Sequence, residues 1–395
     1  MAGNMAISQP ENSNRQKILM VCPKYSSEPY SPYLTNDLAK EMTRQNCMVL
    51  AVGYGDRTVN NVSQDGSLEE VIIKIKKHPK YIKYMVAWLS LFFAVRRMAR
   101  NHKDVDRIIF FAPLTVLWPA VLAIRSSPCG ARLCIIFDIY PAHQIQINAL
   151  PRSLSAILKT IETRLLSRFN RITGMSPANI DAIKKVYGST ILTSRFLVLP
   201  PWGTNEEMHG PDSHRPVKSS TNRLNIVFGG QICHGRDFGK AIHFLHQLKK
   251  RGFEINLSVF TDELSAQFLG EDVQSHSWVK ICKPLPRNEY LNALTQFDFG
   301  LIVTDPQVTL PTFPSKIVDY LDMRLRCLCL LEKTTDFDRV LPFPNIIHVN
   351  RFAFDEEALD AAAAFISRKD HDVEKEFRAA SNRLSVKSAV KVILG

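Results

Sequence analysis

Strand-like and helix-like segments alternate along most of this chain, and a single stretch interrupts the alternation. The strand-like segments, such as residues 17–22 and 224–228, are mostly apolar, and each precedes a segment with helical periodicity. Apolar strands that alternate with helices are typical of parallel sheets covered on both faces. The interrupting stretch, residues 203–222, is rich in Gly, Pro, His, Ser and Thr, as interdomain linkers are. The sequence therefore predicts an α/β fold with two parallel-sheet domains.

The domain boundaries follow from the same pattern in a chain of 395 residues, which is too long for one simple core. Residues 1–16 are polar and lack the apolar core of a signal peptide, so we assign them to a flexible tail. Residues 17–203 form an N-terminal Rossmann-like domain, 204–222 the linker, and 223–370 a C-terminal Rossmann-like domain. Residues 371–395 form a C-terminal helical segment. Two such sheets facing a cleft bind ligands at the carboxyl ends of their strands.

Basic charge is concentrated in residues 71–103, which hold nine lysines and arginines and no acid, in a chain of net charge +12. The uncharged run inside this stretch, residues 84–95, is too short for a membrane span of about 20 residues. Aromatic residues flanked by cations suit a helix on an anionic membrane surface. No nucleic-acid motif accompanies the charge, and a core helix with solvated basic ends is the alternative. The residues predicted to dock on the membrane are Lys80, Lys83, Trp88, Phe92, Arg96, Arg97 and Arg100.

The segment from Phe313 to Leu321 predicts a helix start, with Ser315 at the cap, Lys316 in the first turn and Asp319 three residues further on. Free backbone N–H groups and the dipole at such an end attract phosphate, and a lysine adds a full charge. A carboxylate can hold the paired hydroxyls of a ribose. The segment therefore indicates a nucleotide or nucleotide-sugar site. An ordinary capped helix with solvated side chains is the alternative.

A second candidate site follows the first strand of the C-terminal domain, where Gly229 and Gly230 lead into a helix. Paired glycines let the backbone approach a ligand closely. Arg236, near the start of that helix, could clamp a diphosphate in bidentate fashion. The pattern lacks the dinucleotide-binding fingerprint, and a plain strand–helix turn is the alternative.

In the N-terminal domain, Asp138 and His143 follow a predicted strand that ends near residue 137. Strand ends that face the cleft are where acceptor-binding or proton-transferring groups belong. We predict that Asp138 positions a hydroxyl and that His143 helps to remove its proton, although a surface-loop histidine is the alternative. Glu28, in the loop after the first strand, is a weaker candidate.

The eight cysteines occupy positions 22, 47, 129, 134, 233, 282, 327 and 329, and none forms a Cys-x-x-Cys pair. Several lie inside apolar, strand-like runs. We therefore expect reduced thiols in a cytoplasmic protein and no zinc site.

These motifs, taken in order, resemble the GT-B glycosyltransferases, most closely family 4 (group 1), over about residues 17–370. The most specific part is residues 313–321, where Asp319 occupies the position of the family's ribose-binding glutamate. Residues 199–203 are similar to the family's turn before the linker, as are Glu162 and Ser176 to the segment that precedes it. Residues 138–141, Asp-Ile-Tyr-Pro, are similar to a motif of a bacterial surface-polysaccharide branch.

The resemblance implies a hexosyltransferase that takes a sugar from a nucleotide-sugar and gives it to a lipid-linked or polysaccharide acceptor. The N-terminal domain would bind the acceptor and the C-terminal domain the donor. The resemblance also implies retention of anomeric configuration, no cofactor and no obligatory metal. Together with the basic stretch, it places the enzyme at the cytoplasmic face of the membrane, as a peripheral protein without nucleic-acid partners.

Two departures from the family pattern leave alternatives open. Pro311 stands where the family has a first glutamate, and Arg236 is the nearest substitute for its usual Lys-Gly. An epimerase or hydrolase of nucleotide sugars would keep the fold and change the reaction. A catalytically degenerate partner that binds nucleotide and supports another transferase is the third interpretation.

Overall fold

The computed structural model describes residues 15–26, 34–55, 57–74, 80–125, 127–203, 223–232, 237–269, 273, 276–368 and 373–395, with backbone alone for 80–84. The strands of the N-terminal domain are Gln16–Cys22 (β1), Cys47–Gly55 (β2), Val59–Val62 (β3), Leu68–Lys74 (β4), Arg107–Phe111 (β5), Ala131–Ile135 (β6), Arg171–Gly174 (β7) and Arg195–Val198 (β8). They form one sheet in the order β3-β4-β2-β1-β5-β6-β7-β8, parallel except for the β3–β4 pair.

Helices cover this sheet on both faces: Leu34–Arg44 (α1), Lys80–Asn101 (α2), Trp118–Ala123 (α3), Ala142–Gln146 (α4), Ser155–Leu166 (α5) and Pro177–Tyr187 (α6). Side chains alternate between the faces along each strand. Leu19 and Val21 of β1 accordingly lie in one buried core, and Ile18 and Met20 lie in the core on the opposite face. Burial on both faces explains why β1 is apolar from Ile18 to Cys22.

The C-terminal sheet consists of Arg223–Gly229 (β9), Glu254–Phe260 (β10), Val279–Cys282 (β11), Phe299–Val303 (β12), Arg326–Leu330 (β13) and Ile347–Asn350 (β14). All its pairs are parallel, in the order β11-β10-β9-β12-β13-β14. Its helices are Phe238–Lys250 (α7), Glu263–Ala266 (α8), Arg287–Leu294 (α9), Lys316–Asp322 (α10), Phe337–Val340 (α11) and Glu356–Ser367 (α12). Two doubly wound parallel sheets were predicted, and the structure confirms them.

The C-terminal helical segment was predicted as a unit of its own, but it belongs to both domains. Val373–Arg383 (α13) packs on α10, whereas Val386–Leu394 (α14) packs on α1. The Gly203 N–H donates to the Leu384 carbonyl at 2.9 Å, and the Val386 N–H donates to the Gly203 carbonyl at 3.0 Å. The chain therefore returns across the domain boundary just where it first left the N-terminal domain.

Two other predicted boundaries fall at the limits of the described residues. Most of the predicted tail lies outside them, and its last residue, Gln16, begins β1. The predicted linker, 204–222, lies outside them entirely. The antiparallel β3–β4 pair was not predicted, because β3 has the sequence Val-Asn-Asn-Val and lies exposed at the sheet edge.

Candidate functional site

Asp319 forms the centre of a charged cluster at the carboxyl edge of the C-terminal sheet. Its Oδ1 accepts a hydrogen bond from Arg287 Nη2 at 2.9 Å, and its Oδ2 accepts one from Lys316 Nζ at 3.2 Å. Arg287 is the first residue of α9 and Lys316 the first of α10. The side chain of Asp319 is 7% exposed, against 29% for Arg287 and 35% for Lys316. One buried carboxylate thus holds two cations that remain accessible.

Gly229 joins this cluster through two tyrosines. Its N–H donates to the Tyr320 hydroxyl at 3.1 Å, and a Cβ at this position would lie 1.9 Å from the Tyr290 hydroxyl oxygen. The Lys316 Nζ lies 5.2 Å from the centroid of the Tyr290 ring. The structure therefore brings the predicted residues Gly229, Lys316 and Asp319 together. Burial raises the pKa of both phenols, so the tyrosines are neutral.

Gly230 has a φ of +135°, which an L side chain rarely adopts, and its N–H donates to the Phe260 carbonyl at 3.0 Å. A glycine is therefore required at this strand end. Arg236 and Glu28 lie outside the described residues. Their predicted roles stay predictions.

The helix start at Ser315 differs from its prediction. Ser315 has helical φ and ψ, and its side chain makes no capping hydrogen bond. The N–H groups of Ile317 and Val318 donate to the carbonyls of Pro314 and Ser315 in a tight first turn. Since these two amides are already hydrogen-bonded, an anion at this helix start would be bound more by the cationic side chains than by backbone amides.

Asp138 and His143 lie close together beyond the carboxyl end of β6, and their predicted roles in the reaction stay predictions. His143 Nδ1 is 3.6 Å from Asp138 Oδ1, and no described residue makes a hydrogen bond to this buried nitrogen. Asp138 is held loosely, with a side chain that is 59% exposed. His143 is in α4, whose Gln146 contacts the opposite domain.

The first part of the connection from β12 to α10, residues 304–312, bridges the two domains. Its ends are held by the buried Glu332, which accepts from Thr304 Oγ1 at 2.8 Å and from the Thr312 N–H at 2.6 Å. Its middle reaches the other domain, where Gln146 Nε2 donates to Thr309 Oγ1 at 2.7 Å and the Thr309 N–H donates to Gln146 Oε1 at 3.0 Å. We call residues 304–312 the bridging loop.

The same loop shows what replaces the glutamate expected at Pro311. Asn179 Nδ2 donates to the Pro311 carbonyl at 3.1 Å, and Val308 and Leu310 are buried in a core cluster of the N-terminal domain. Ser176 caps α6 by accepting from the Asn179 N–H. Position 311 therefore makes an interdomain backbone contact rather than supplying an acid.

Two further buried acids, Asp37 and Asp322, lie within electrostatic range of the cluster and were not predicted. Burial raises the pKa of Asp37, on α1 of the opposite domain, to about 6, although Arg287, Lys40 and Arg44 oppose the shift. Burial and the charge of Asp319 raise the pKa of Asp322 to about 8. The charge of Arg287 acts to lower the pKa of both carboxyls, so Asp37 and Asp322 lie within its electrostatic range.

The predicted membrane-docking residues lie on α2, where Arg97 and Arg100 are exposed, whereas Trp88, Phe92 and Arg96 are half-buried. Exposed side chains are Met85, Val86, Leu89, Phe93, Arg97 and Arg100. Trp88 instead packs edge-on against Trp118 at 5.9 Å, and Phe92 packs on the core beneath Arg96. Lys80 and Lys83 are within the helix, without described side chains. Among the described residues, no helix is long and apolar enough to cross a bilayer.

The remaining predictions concern thiols and metals. The seven described cysteines are unpaired thiols, and no group of three or more His, Cys, Asp and Glu residues in the described ranges could hold a metal ion. Glu162, one of the family-like residues, is fully buried and accepts hydrogen bonds from the N–H groups of Leu114 and Thr115, both at 2.7 Å. It therefore braces the loop after β5.

Solved structures share this two-domain arrangement along nearly the whole chain, and they identify it as the GT-B fold, as predicted. An α,α-trehalose 6-phosphate synthase from Burkholderia multivorans matches with a TM-score of 0.65 at 9% identity, over 96% of this chain and 98% of its own. WaaG, a glycosyltransferase of lipopolysaccharide biosynthesis, matches with a TM-score of 0.59 at 14% identity, over 95% and 100%.

HepE from Anabaena, solved with UDP and glucose, matches with a TM-score of 0.58 at 13% identity, over 96% of this chain and 98% of its own. No protein-family model and no curated protein sequence matches the chain. At such low identity the likeness shows the fold. Family 4 membership and the surface-polysaccharide branch stay predictions.

Proposed function

We propose that this protein is a glycosyltransferase that moves a hexose from a nucleotide-sugar to a lipid-linked or polysaccharide acceptor. The observation that carries the proposal is the Arg287–Asp319–Lys316 cluster beside Gly229, at the carboxyl edge of the C-terminal sheet of a GT-B fold. Ligands of open parallel sheets bind at this edge. HepE, a neighbour in fold, was solved with a nucleoside diphosphate and a sugar.

In the proposed reaction the bond from the anomeric carbon to the diphosphate oxygen breaks, and a bond to the acceptor oxygen forms. Lys316 stabilises the charge that develops on the departing diphosphate, since fixed charges aimed at a leaving group are commonly the largest catalytic contribution. Asp138 orients the acceptor hydroxyl, and His143 takes its proton. Following the family resemblance, transfer retains the anomeric configuration and needs no cofactor and no obligatory metal.

The acceptor side of the proposal rests on the surface of α2 and α3. The exposed fraction is 62% for Phe93, 53% for Leu89 and 37% for Trp118, and Arg97 and Arg100 lie at the end of α2. An apolar surface beside cations suits an anionic bilayer. We propose that it places the enzyme on the cytoplasmic face of the membrane, close to a membrane-held acceptor.

Donor turnover tests the reaction. Nucleotide release would be measured from a panel of UDP-, GDP- and ADP-sugars with a polyprenyl-linked acceptor, for the wild type and for Lys316→Ala combined with Asp319→Ala. We expect release that depends on the acceptor and is lost in the double variant. Wild-type turnover in the double variant would reject the site. Donor consumed without acceptor would indicate a hydrolase or epimerase, and binding without any turnover would indicate a degenerate partner.

Vesicle flotation tests the membrane contact independently. With phosphatidylglycerol vesicles, Leu89→Ser combined with Phe93→Ser should release the protein, while turnover of a water-soluble acceptor analogue stays unchanged. Val62→Ser, an equally exposed apolar position on β3, is the matched control. Equal flotation of all three proteins would contradict docking through α2.

A further inference from the structure

The three charged residues of the cluster differ in exposure: a ligand can reach Arg287 and Lys316, whereas Asp319 lies behind them. Asp319, which the sequence suggested as a ribose ligand, has a side chain that is 7% exposed, and each of its oxygens already accepts from a cation. Arg287 and Lys316 lie in front of it and are several times more exposed. A ligand that enters the cleft therefore meets two cations before it meets the carboxylate.

Arg287 retains the donors that an anion needs. A guanidinium carries five N–H donors in a fixed fork, which matches phosphate oxygens in pairs. Within the described residues, the hydrogen bond recorded for this guanidinium is the one from Nη2 to Asp319. That bond fixes the plane of the group and leaves the other donors for a ligand.

The position of Arg287 directs these donors into the cleft. The residue begins α9, five residues after the carboxyl end of β11. Its charge also acts on Asp37, which is on α1 of the N-terminal domain. Arg287 consequently lies at the carboxyl edge of the C-terminal sheet, where open parallel sheets bind their ligands, and within electrostatic range of the opposite domain.

We propose that Arg287 and Lys316 together bind the diphosphate of the donor, and that Asp319 is a positioning residue that aims both cations instead of binding the ribose. The proposal rests on the function proposed above and names the residues of its leaving-group site. Arg287 supplies a guanidinium of the kind that the sequence suggested at Arg236, whose own role stays a prediction. Asp37 is then a competing anion that approaches Arg287 from the opposite domain.

Calorimetry on the full chain tests the diphosphate site formed by Arg287 and Lys316, which we call the clamp. The ligands are UDP, GDP and ADP, followed by the monophosphate of the nucleotide that binds most tightly. Because a hydrogen bond to a charged group is worth more than a neutral one, Arg287→Gln should weaken diphosphate binding about tenfold or more. The monophosphate should lose much less, and Arg287→Lys should recover part of the loss. Arg378→Gln is the matched control, since Arg378 is an exposed arginine 2.9 Å from Glu374 in the same domain.

Three results would overturn the clamp. Unchanged diphosphate binding in Arg287→Gln would remove Arg287 from the site and leave the proposed function standing. Equal loss of diphosphate and monophosphate would place Arg287 at the nucleoside or in the fold. Absence of binding by every nucleoside diphosphate to the wild type, with no turnover, would reject the proposed function and the clamp with it.

The role of Asp319 has its own test. The ratio of affinities for the diphosphate and its 2′,3′-dideoxy analogue reports on ribose contacts alone. Because the proposal gives Asp319 no ribose contact, Asp319→Asn should leave this ratio at its wild-type value. An affinity ratio that moves towards one in Asp319→Asn would show that Asp319 hydrogen-bonds to the ribose, and would overturn its positioning role.

Discussion

The two sides of the cleft hold their functional side chains very differently. On the C-terminal side, Asp319 is buried and hydrogen-bonded to two cations. On the N-terminal side, Asp138 is mostly exposed and stands 3.6 Å from His143, beyond hydrogen-bond distance. The donor side is therefore organised before any ligand binds, whereas the acceptor side depends on the acceptor to complete it. In the proposed reaction the leaving group needs fixed charges, and the acceptor needs room to enter.

The largest expected effect on activity comes from the C-terminal side of the cleft, which is organised before any ligand binds. Lys316→Ala should lower kcat about 10²-fold or more, because it removes a fixed charge from the leaving group. Steady-state nucleotide release measures it. Lys184→Ala is the matched control, since Lys184 also lies three residues from an acid, Asp181, and over an aromatic ring, Phe196. Equal activity of the two variants would mean that the charge of Lys316 is not part of the site.

His143→Ala tests the loosely held side and should lower kcat by about 10²-fold, the lower end of what a general base contributes. Its effect should be confined to kcat, with the affinity for nucleoside diphosphate unchanged. His102→Ala is the control, because His102 contacts a carboxylate, Glu69, at 3.2 Å far from the cleft. A loss of nucleotide affinity in His143→Ala would break the division between the two sides.

The sequence predicted the elements more fully than the contacts between them. The strand-like runs at residues 17–22 and 224–228 agree with β1 and β9 to within one residue at each end, because apolar runs mark such strands locally. β14 was not predicted, since four residues, Ile-His-Val-Asn, give too short a pattern. Local signals therefore account for the fold, and they fail where an element is short and partly polar.

The candidate site shows the same limit. Gly229, Lys316 and Asp319 carry local signals and were predicted, whereas Arg287 and Tyr290 were not. Arg287 and Tyr290 lie three residues apart at the start of α9, so both point the same way, but their partners come from other elements. On α2, Phe93 and not Phe92 faces outward, because one residue turns a helix by about 100°.

The two sides of the cleft should also differ in how an acid affects the pH dependence of stability, because Asp322 is buried and Asp138 is exposed. The folded pKa of Asp322, about 8, lies above its ordinary 3.8, so the folded state binds more protons and loses stability as pH rises between these values. Asp322→Asn should therefore stabilise the protein at pH 8 by on the order of 2 kcal/mol, and by little near pH 4.

Thermal unfolding at pH 4, 6 and 8 measures this gain. Asp138→Asn is the control from the other side of the cleft, and its exposed carboxylate should change the free energy of unfolding by less than about 0.5 kcal/mol at each pH. A gain for Asp322→Asn that is the same at pH 4 and pH 8 would show that ionisation of Asp322 does not limit stability.

The smallest expected effect concerns the contact that joins the two sides. Gln146 and Thr309 exchange two hydrogen bonds, each worth about 1 kcal/mol net, and solvent can replace part of them because both residues are near the surface. Gln146→Ala should lower kcat roughly threefold to tenfold, in proportion to about 1 kcal/mol. Gln247→Ala is the control, because Gln247 is a half-buried glutamine on α7 that also makes a side-chain hydrogen bond.

The physical reason for this effect is the position of Gln146 between two chemical groups. His143 lies three residues before it on α4, and the bridging loop that holds Thr309 continues into Lys316. Loss of the contact should let the histidine and the leaving-group cation drift apart while each keeps its own surroundings. Nucleoside diphosphate affinity should then stay at its wild-type value as kcat falls. If affinity and kcat fell together, the bridging loop would belong to the donor site itself, and the two sides of the cleft would not be separable.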